Sequence, residues 1–194
     1  MSNSIIHLTG EITVDKVSRF KQLCLNAINE EKPDTLSIFL TSQGGSVKAC
    51  IAIYEFLSLL QEQIIMYNVG YVDSSALIIY LAGDIRYALP HSSFLIHELS
   101  KHYIAGDIRF SHFVNDYRSL KSDISVFENI LRKHIKNNAN ALEVLNYLSC
   151  GEVSFGSSEA FEYGITTAML ANAGTVAEPP ATSSIPCKRF HYYT

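Results

Sequence analysis

The chain has few cysteines and no surplus of positive charge, and each shortage excludes a class of protein. Its 194 residues contain four cysteines, at positions 24, 50, 150 and 187, and no CxxC pair. This scatter argues against a disulfide framework or a zinc site, and predicts reduced thiols in a cytoplasmic protein. The net charge is -4, so no basic surface favours nucleic acid or an anionic membrane as a partner.

Long apolar runs and ligand-binding motifs are also missing. Charge or glycine interrupts every apolar run before the roughly 20 residues that a membrane-spanning helix needs. The first residues, Met1 to Ser4, lack the basic and apolar parts of a signal peptide, so we expect none. Neither a Walker pattern, a dinucleotide-binding glycine pattern nor a metal-ligand spacing occurs. We therefore expect no cofactor, nucleotide or metal in this chain.

What is present is an alternation of apolar strands with amphipathic helices. The hydrophobic content of 47% suffices for one core, and the alternation predicts a parallel α/β domain over residues 1–171. Strands are predicted at 5–8, 36–40, 64–69, 85–88 and 94–97, and helices at 14–30, 47–57, after Ser74, at 141–148 and at 157–163. Residues 172–194 are rich in Gly, Ala, Pro, Thr and Ser and predict a low-complexity, disordered tail.

A long amphipathic helix is predicted from Asp107 to Lys136. Its apolar residues recur at intervals of three and four and form a narrow seam: Phe110, Phe113, Tyr117, Leu120, Ile124, Phe127 and Leu131. The helix is longer than a single-domain core usually covers. Two interpretations stay open: part of the seam packs on another element or subunit, or the helix caps the sheet.

Three short segments carry groups typical of a serine hydrolase. An apolar strand ends at Gly70, and Ser74 and Ser75 then open an apolar helix, where the positive helix end stabilises developing negative charge. His97 ends another apolar strand, and Gly44-Gly45 follows a strand upstream. A nucleophile, a base and backbone donors are therefore all present.

The order of these motifs resembles the proteolytic subunit of the Clp protease, within the ClpP/crotonase superfamily. Ser42–Val47 is similar to the family's Ser-Pro-Gly-Gly turn, and Ala52–Tyr54 to its Ala-Ile-Tyr. Gly70–Gly83 resembles the Gly-x-Ala-Ala-Ser-Met-Gly segment together with its closing glycine. Leu89–His97 resembles the Leu-Pro-Asn-Ser-x-x-Met-Ile-His run, and Ser158–Gly164 the Glu-Ala-x-Glu-Tyr-Gly-Leu motif. Five such motifs in order form a specific signal that covers most of the chain.

The resemblance implies a fold, an activity and a site. The fold would consist of repeated β-β-α units with a long protruding handle helix. The activity would be that of a serine endopeptidase, with Ser74 as nucleophile, His97 as general base and the N–H groups of Gly45 and Ser75 as the oxyanion hole. The substrate would be a peptide or unfolded protein. The assembly would be a homo-oligomeric ring, a heptamer or double heptamer, with an AAA+ unfoldase as candidate partner.

The third member of the triad departs from the family pattern. The family's Asp lies seven positions before the Glu of Glu-Ala, which here is Glu152. A carboxylate one methylene longer can orient an imidazole, so the resemblance implies a Ser-His-Glu triad; the alternative is that Glu152 solvates a loop. Asp73 also departs, because the family has a small apolar residue there. An anion at Asp73 would oppose an oxyanion and favour a charged His97 nearby.

Three functional hypotheses follow. The first is a Clp-type serine peptidase assembled as a ring. The second is a catalytically impaired homologue with a structural or regulatory role in a ring, in which Asp73 and Glu152 mark decay of the site. The third is a crotonase-like acyl-CoA enzyme, which would share the glycine donor, although nothing in the sequence suggests an adenine pocket.

Overall fold

A predominantly parallel sheet organises the fold. The computed structural model describes residues 2–100, 107–169 and 190–191. In these residues the strands are β1 (Asn3–Thr9), β2 (Thr35–Ser42), β3 (Gln63–Asp73), β4 (Ile85–Ala88), β5 (Ser93–His97), β6 (Glu152–Gly156), β7 (Ala168–Met169) and β8 (Phe190–His191). Their order is β6-β5-β3-β2-β1-β8, with β4 between β3 and β7. Every pair is parallel except the antiparallel pair β5–β6. The predicted parallel α/β core is confirmed.

Helices connect most of these strands. They are α1 (Val14–Glu31), α2 (Val47–Ser58), α3 (Ala76–Tyr80), α4 (Phe110–His134), α5 (Ala139–Glu143) and α6 (Ser157–Tyr163), with a 3-10 helix at Val144–Leu148. Local chemistry sets where two of them begin: the side chain of Thr13 accepts from the Lys16 N–H at α1, and Ser46 accepts from the Ala49 N–H at α2. Such caps satisfy backbone donors that the first turn leaves unpaired.

Strand β3 is longer than the predicted strand at 64–69, and the extra residues position the site. Its first part pairs with β4, at residues 65–68, and its last part, Tyr71–Asp73, pairs with Ser93–Leu95 of β5. The strand therefore passes from one neighbour to the next without ending at Gly70. As a result, the carboxyl ends of β3 and β5 lie side by side.

The long helix contributes to the core only through its second half. Phe127 and Leu131 are buried with 1% and 0% of their surface exposed, whereas Phe110 is 80% exposed and Tyr117 is 57% exposed. The first half of the predicted seam is therefore largely exposed among the described residues, and the second half packs on the core. Both interpretations of the seam stay open: its exposed part can pack on another element or subunit, while its buried part covers the core.

The predicted tail falls largely outside the described residues. Phe190–His191 pairs in parallel with Ile5 and Ile6 of β1. Residues 170–189 and 192–194, including Cys187, lie outside the described ranges, so the boundary at residue 171 stays a prediction. Within those ranges, no helix has both the length and the apolar character required to cross a membrane.

Candidate active site

Ser74 lies at a sharp turn between β3 and α3. Its backbone has φ 54, in the left-handed region, and its N–H donates to the Leu95 carbonyl at 2.7 Å. A non-glycine residue in this region costs on the order of 1–3 kcal/mol, and such strain concentrates at functional sites. The turn interrupts the strand alternation, and Ser74 lines the same cavity as His97. Helix α3 then begins at Ala76, in agreement with the helix predicted after Ser74, and has five residues.

His97, the last residue of β5, lines this cavity of about 510 Å³ beside Ser74. Its Nδ1 lies 2.7 Å from the Glu98 carbonyl oxygen. A carbonyl can only accept, so Nδ1 carries a proton and Nε2 of the neutral ring carries the lone pair that a general base needs. Among the described residues, no hydrogen bond joins the Ser74 hydroxyl to this imidazole.

The two glycines after β2 bring the backbone against Ser74. A Cβ on Gly44 would lie 2.9 Å from the Asp73 carbonyl oxygen and 3.0 Å from the Ser74 Cβ. A Cβ on Gly45, whose φ is 146, would collide with the Ile12 carbonyl oxygen. Both positions therefore require glycine, because their φ values and the close contacts exclude a side chain.

The predicted oxyanion donor at Gly45 already has an acceptor. The Gly45 N–H donates to the Ser75 Oγ at 3.0 Å, and the Ser75 hydroxyl donates back to the Gly45 carbonyl at 3.1 Å. The Cys50 thiol lies 3.4 Å from the same Oγ; burial raises its pKa to about 12, so it stays protonated and donates. Ser75 is fully buried, and its hydroxyl faces this network instead of the cavity. Sequence reasoning did not find this contact.

Two carboxylates and His97 share one face of the sheet. In the antiparallel pair β5–β6, His97 is directly opposite Glu152. The Glu98 N–H donates to the Gly151 carbonyl at 2.9 Å, so the His97–Glu152 pair is the non-hydrogen-bonded kind, in which Cα atoms lie about 4.5 Å apart. The Glu152 side chain is nevertheless exposed, and no ion pair joins it to His97 within the described ranges.

Asp73 is the second carboxylate on this face. It is paired with Leu95, two residues before His97, and is half-buried. Burial raises the pKa of the Asp73 carboxyl above its usual value, while the charge of His97 and hydrogen bonding by the Leu95 N–H act in the opposite direction. The sequence placed Asp73 next to the nucleophile; only the pairing of β3 with β5 places it beside the base.

These features define the fold and candidate site of a ClpP-like hydrolase. The chain belongs to the Clp protease family, because the family model matches residues 1–173. It is 28% identical to an ATP-dependent Clp protease proteolytic subunit 2 of Borreliella burgdorferi, over 73% of this chain and 71% of that protein. It is 25% identical to a subunit of the same name from Mycolicibacterium paratuberculosis, over 93% and 89% of the two chains.

A solved structure has the same fold. A ClpP1 mutant from Listeria monocytogenes superimposes with a TM-score of 0.72, covering 87% of this chain and 91% of the other at 19% identity. The family membership supports a ClpP-like peptidase role, since the family implies a serine peptidase hydrolase. In the described ranges, no group of three His, Cys, Asp or Glu residues could hold a metal ion.

Proposed function

We propose that this protein is a serine endopeptidase that hydrolyses peptide bonds with Ser74 as nucleophile and His97 as general base. His97 Nε2 would take the Ser74 proton during attack on the scissile carbonyl and return it to the leaving amine. The N–H groups of Gly45 and Ser75 would donate to the oxyanion of the tetrahedral intermediate. Ser74, His97 and Gly45 line one cavity, and Ser75 follows Ser74 in the chain.

The observation that carries the proposal is the strained turn at Ser74 facing the same cavity as His97. A positive φ at a serine is retained only where the surrounding structure requires it. Here three contacts maintain it: the bond from its N–H to Leu95 and the close approach of Gly44 to the Ser74 Cβ and to the Ser75 nitrogen. The proton on His97 Nδ1 leaves the other ring nitrogen free to act as a base.

Glu152 is our candidate for the third member of the triad. Its register directly opposite His97 supports this assignment, because cross-strand partners project from the same face of the sheet. In the structure the Glu98 carbonyl accepts from Nδ1, so Glu152 would have to replace that carbonyl in the working enzyme. Glu152→Gln should then lower kcat far more than it changes KM; an unchanged kcat would remove Glu152 from the triad.

We also propose that the enzyme works as a homo-oligomeric ring in the cytoplasm, a heptamer or double heptamer, on peptides or unfolded proteins. The exposed first half of α4 supports this, because it presents an unpartnered apolar face on a protruding helix. An AAA+ unfoldase is a candidate partner that would deliver unfolded chains. Sedimentation of the purified protein tests the assembly, and a monomer at all concentrations would contradict it.

A fluorophosphonate probe tests the chemistry. Wild type should be labelled covalently, and Ser74→Ala should abolish labelling. Ser75→Ala, the matched control at the neighbouring serine, should keep it, because the Ser75 hydroxyl is buried away from the cavity. Labelling that survives in Ser74→Ala but is lost in Ser75→Ala would identify Ser75 as the nucleophile and contradict this proposal.

A second candidate function is that of a catalytically impaired ring subunit with a structural or regulatory role. The engagement of Gly45 N–H by Ser75 favours it, because the donor is not free to meet an oxyanion. Wild type that assembles but is never labelled, and that enters rings with an active homologue, would support this function over the first.

A further inference from the structure

The imidazole of His97 lies between two carboxylates carried by the strands on either side of it. In the sheet order, β5 lies between β3 and β6. Glu152 on β6 is directly opposite His97, and Asp73 on β3 is paired with Leu95, so its side chain is on the His97 face one step along the strand. The position of each carboxylate decides which one can influence the base.

Asp73 lies on the sheet face that carries the base. It is paired with Leu95 of β5, two residues before His97, and alternate residues of a strand share a face. The Gly44–Gly45 turn follows β2, which is on the opposite side of β3. An anion nearer to the imidazole than to the oxyanion stabilises the charged base more than it repels the oxyanion, because Coulomb energy falls with distance.

Burial makes the charge of Asp73 less screened by solvent than the charge of Glu152. Asp73 is half-buried, whereas Glu152 is exposed and surrounded by solvent that screens its charge. The pKa of Asp73 agrees with this: burial raises it, and the charge of His97 draws it back down. An ionised carboxylate on the same face favours the charged form of an imidazole.

We propose that Asp73 is a positioning residue that stabilises the imidazolium of His97 while Ser74 is attacking, a task that the sequence resemblance assigns to Glu152. This inference rests on the proposed peptidase function. When His97 removes the Ser74 proton it gains a positive charge, and the Asp73 carboxylate supplies the compensating negative charge without itself taking the proton.

Other charged groups lie around the imidazole. Glu152 on β6 is directly opposite His97, and Glu11 before α1, Lys48 on α2, and Asp116 and Asp123 on α4 line the same cavity. Of these groups only Glu152 also lies in a strand paired with β5, and Asp73 differs from it by being half-buried.

The test compares Asp73→Asn with Glu152→Gln, using Asp34→Asn as the matched control. Asp34 is an exposed carboxylate just before β2, at the amino ends of the strands and therefore at the far edge of the sheet from the site. For each variant, kcat, KM and the pH profile of the fluorophosphonate reaction are measured after a denaturation curve shows that it is folded.

Asp73→Asn should lower kcat and the labelling rate by about tenfold or more with little change in KM, and should move the acid limb of the profile to lower pH. The shift arises because removing the anion destabilises the protonated base, so the base is freed at lower pH. Asp34→Asn should leave the kinetic constants, the labelling rate and the pH profile unchanged. An Asp73→Asn profile that superimposes on wild type would overturn the proposal.

A second measurement does not depend on activity. Replacing His97 by Gln removes the charge that lowers the pKa of Asp73, so a carboxyl ¹³C NMR titration should show the Asp73 pKa rising further above its usual value. An unchanged Asp73 titration would refute the coupling. Wild type that shows this coupling but is never labelled would leave the Asp73–His97 interaction standing and reject the peptidase function.

Discussion

Removal of the Ser75 hydroxyl should make the enzyme faster, if Gly45 is an oxyanion donor. In the structure the Gly45 N–H is 3.0 Å from the Ser75 Oγ, and that hydroxyl also donates to the Gly45 carbonyl at 3.1 Å. Before the Gly45 N–H can meet an oxyanion it must leave this acceptor. Ser75→Ala removes the competing acceptor and leaves the second proposed donor, the Ser75 backbone N–H, in place.

The size of the effect follows from one hydrogen bond. A neutral hydrogen bond contributes about 0.5–1.5 kcal/mol net. If this hydrogen bond no longer has to break before the transition state is reached, the rate should rise by about 2- to 13-fold, because about 1.36 kcal/mol corresponds to a factor of ten. Stability should fall, since the contacts of Ser75 with Gly45 and Cys50 are lost, by about 1–3 kcal/mol in total.

The assay is kcat/KM for a fluorogenic peptide together with the fluorophosphonate labelling rate. Ser92→Ala is the matched control: Ser92 is also a buried serine, and its hydroxyl donates to the Leu89 carbonyl at 2.8 Å, away from the cavity. Ser92→Ala should lower the free energy of unfolding without raising kcat/KM. A tenfold fall in kcat/KM for Ser75→Ala would show that the hydroxyl supports the site and would refute the competition argument.

Two further predictions concern packing and pH. Phe127→Ala should lower the free energy of unfolding by about 3–5 kcal/mol, because Phe127 is buried. Phe110→Ala should change the free energy of unfolding of the monomer by less than about 0.5 kcal/mol, but should shift sedimentation to smaller species. Unchanged sedimentation would place the exposed α4 face outside the assembly contact. Burial and two nearby cations lower the pKa of His134 to about 4. Because the unfolded chain binds this proton near pH 6.5, stability is full above that pH and is lost as the pH falls towards 4, by about 1–2 kcal/mol after allowance for solvent screening. Denaturant titrations at pH 7 and pH 5 measure this difference in the free energy of unfolding, and His134→Gln should reduce the difference.

The sequence predicted those elements whose pattern is local. Helix α1 buries Val17, Phe20, Cys24 and Ala27 at helical spacing, and its predicted end at residue 30 lies one residue from the observed end at Glu31. Strand β6 was not predicted, because Glu152–Gly156 is short and only one of its residues is buried. Its pairing partner, β5, lies more than fifty residues away, so no local signal could mark it.

The candidate site shows the same division. Ser74, His97 and Gly45 could be selected from sequence because each follows a predicted strand, and parallel strands bring such positions to one edge. The sequence could not show that Ser75 accepts from Gly45, since that contact depends on the φ values of two glycines and one serine. Nor could it show that Asp73 is beside His97, since that depends on β3 extending past Gly70 to pair with β5.

The residues on either side of Ser74 therefore act on opposite halves of the proposed reaction. Asp73, which is paired with Leu95 of β5, would favour the charged base and so promote proton removal. Ser75, whose hydroxyl accepts from the Gly45 N–H, would occupy an oxyanion donor and so oppose formation of the tetrahedral intermediate. The rate of this enzyme would depend on the balance between them, and loss of activity need not require any change at Ser74 or His97.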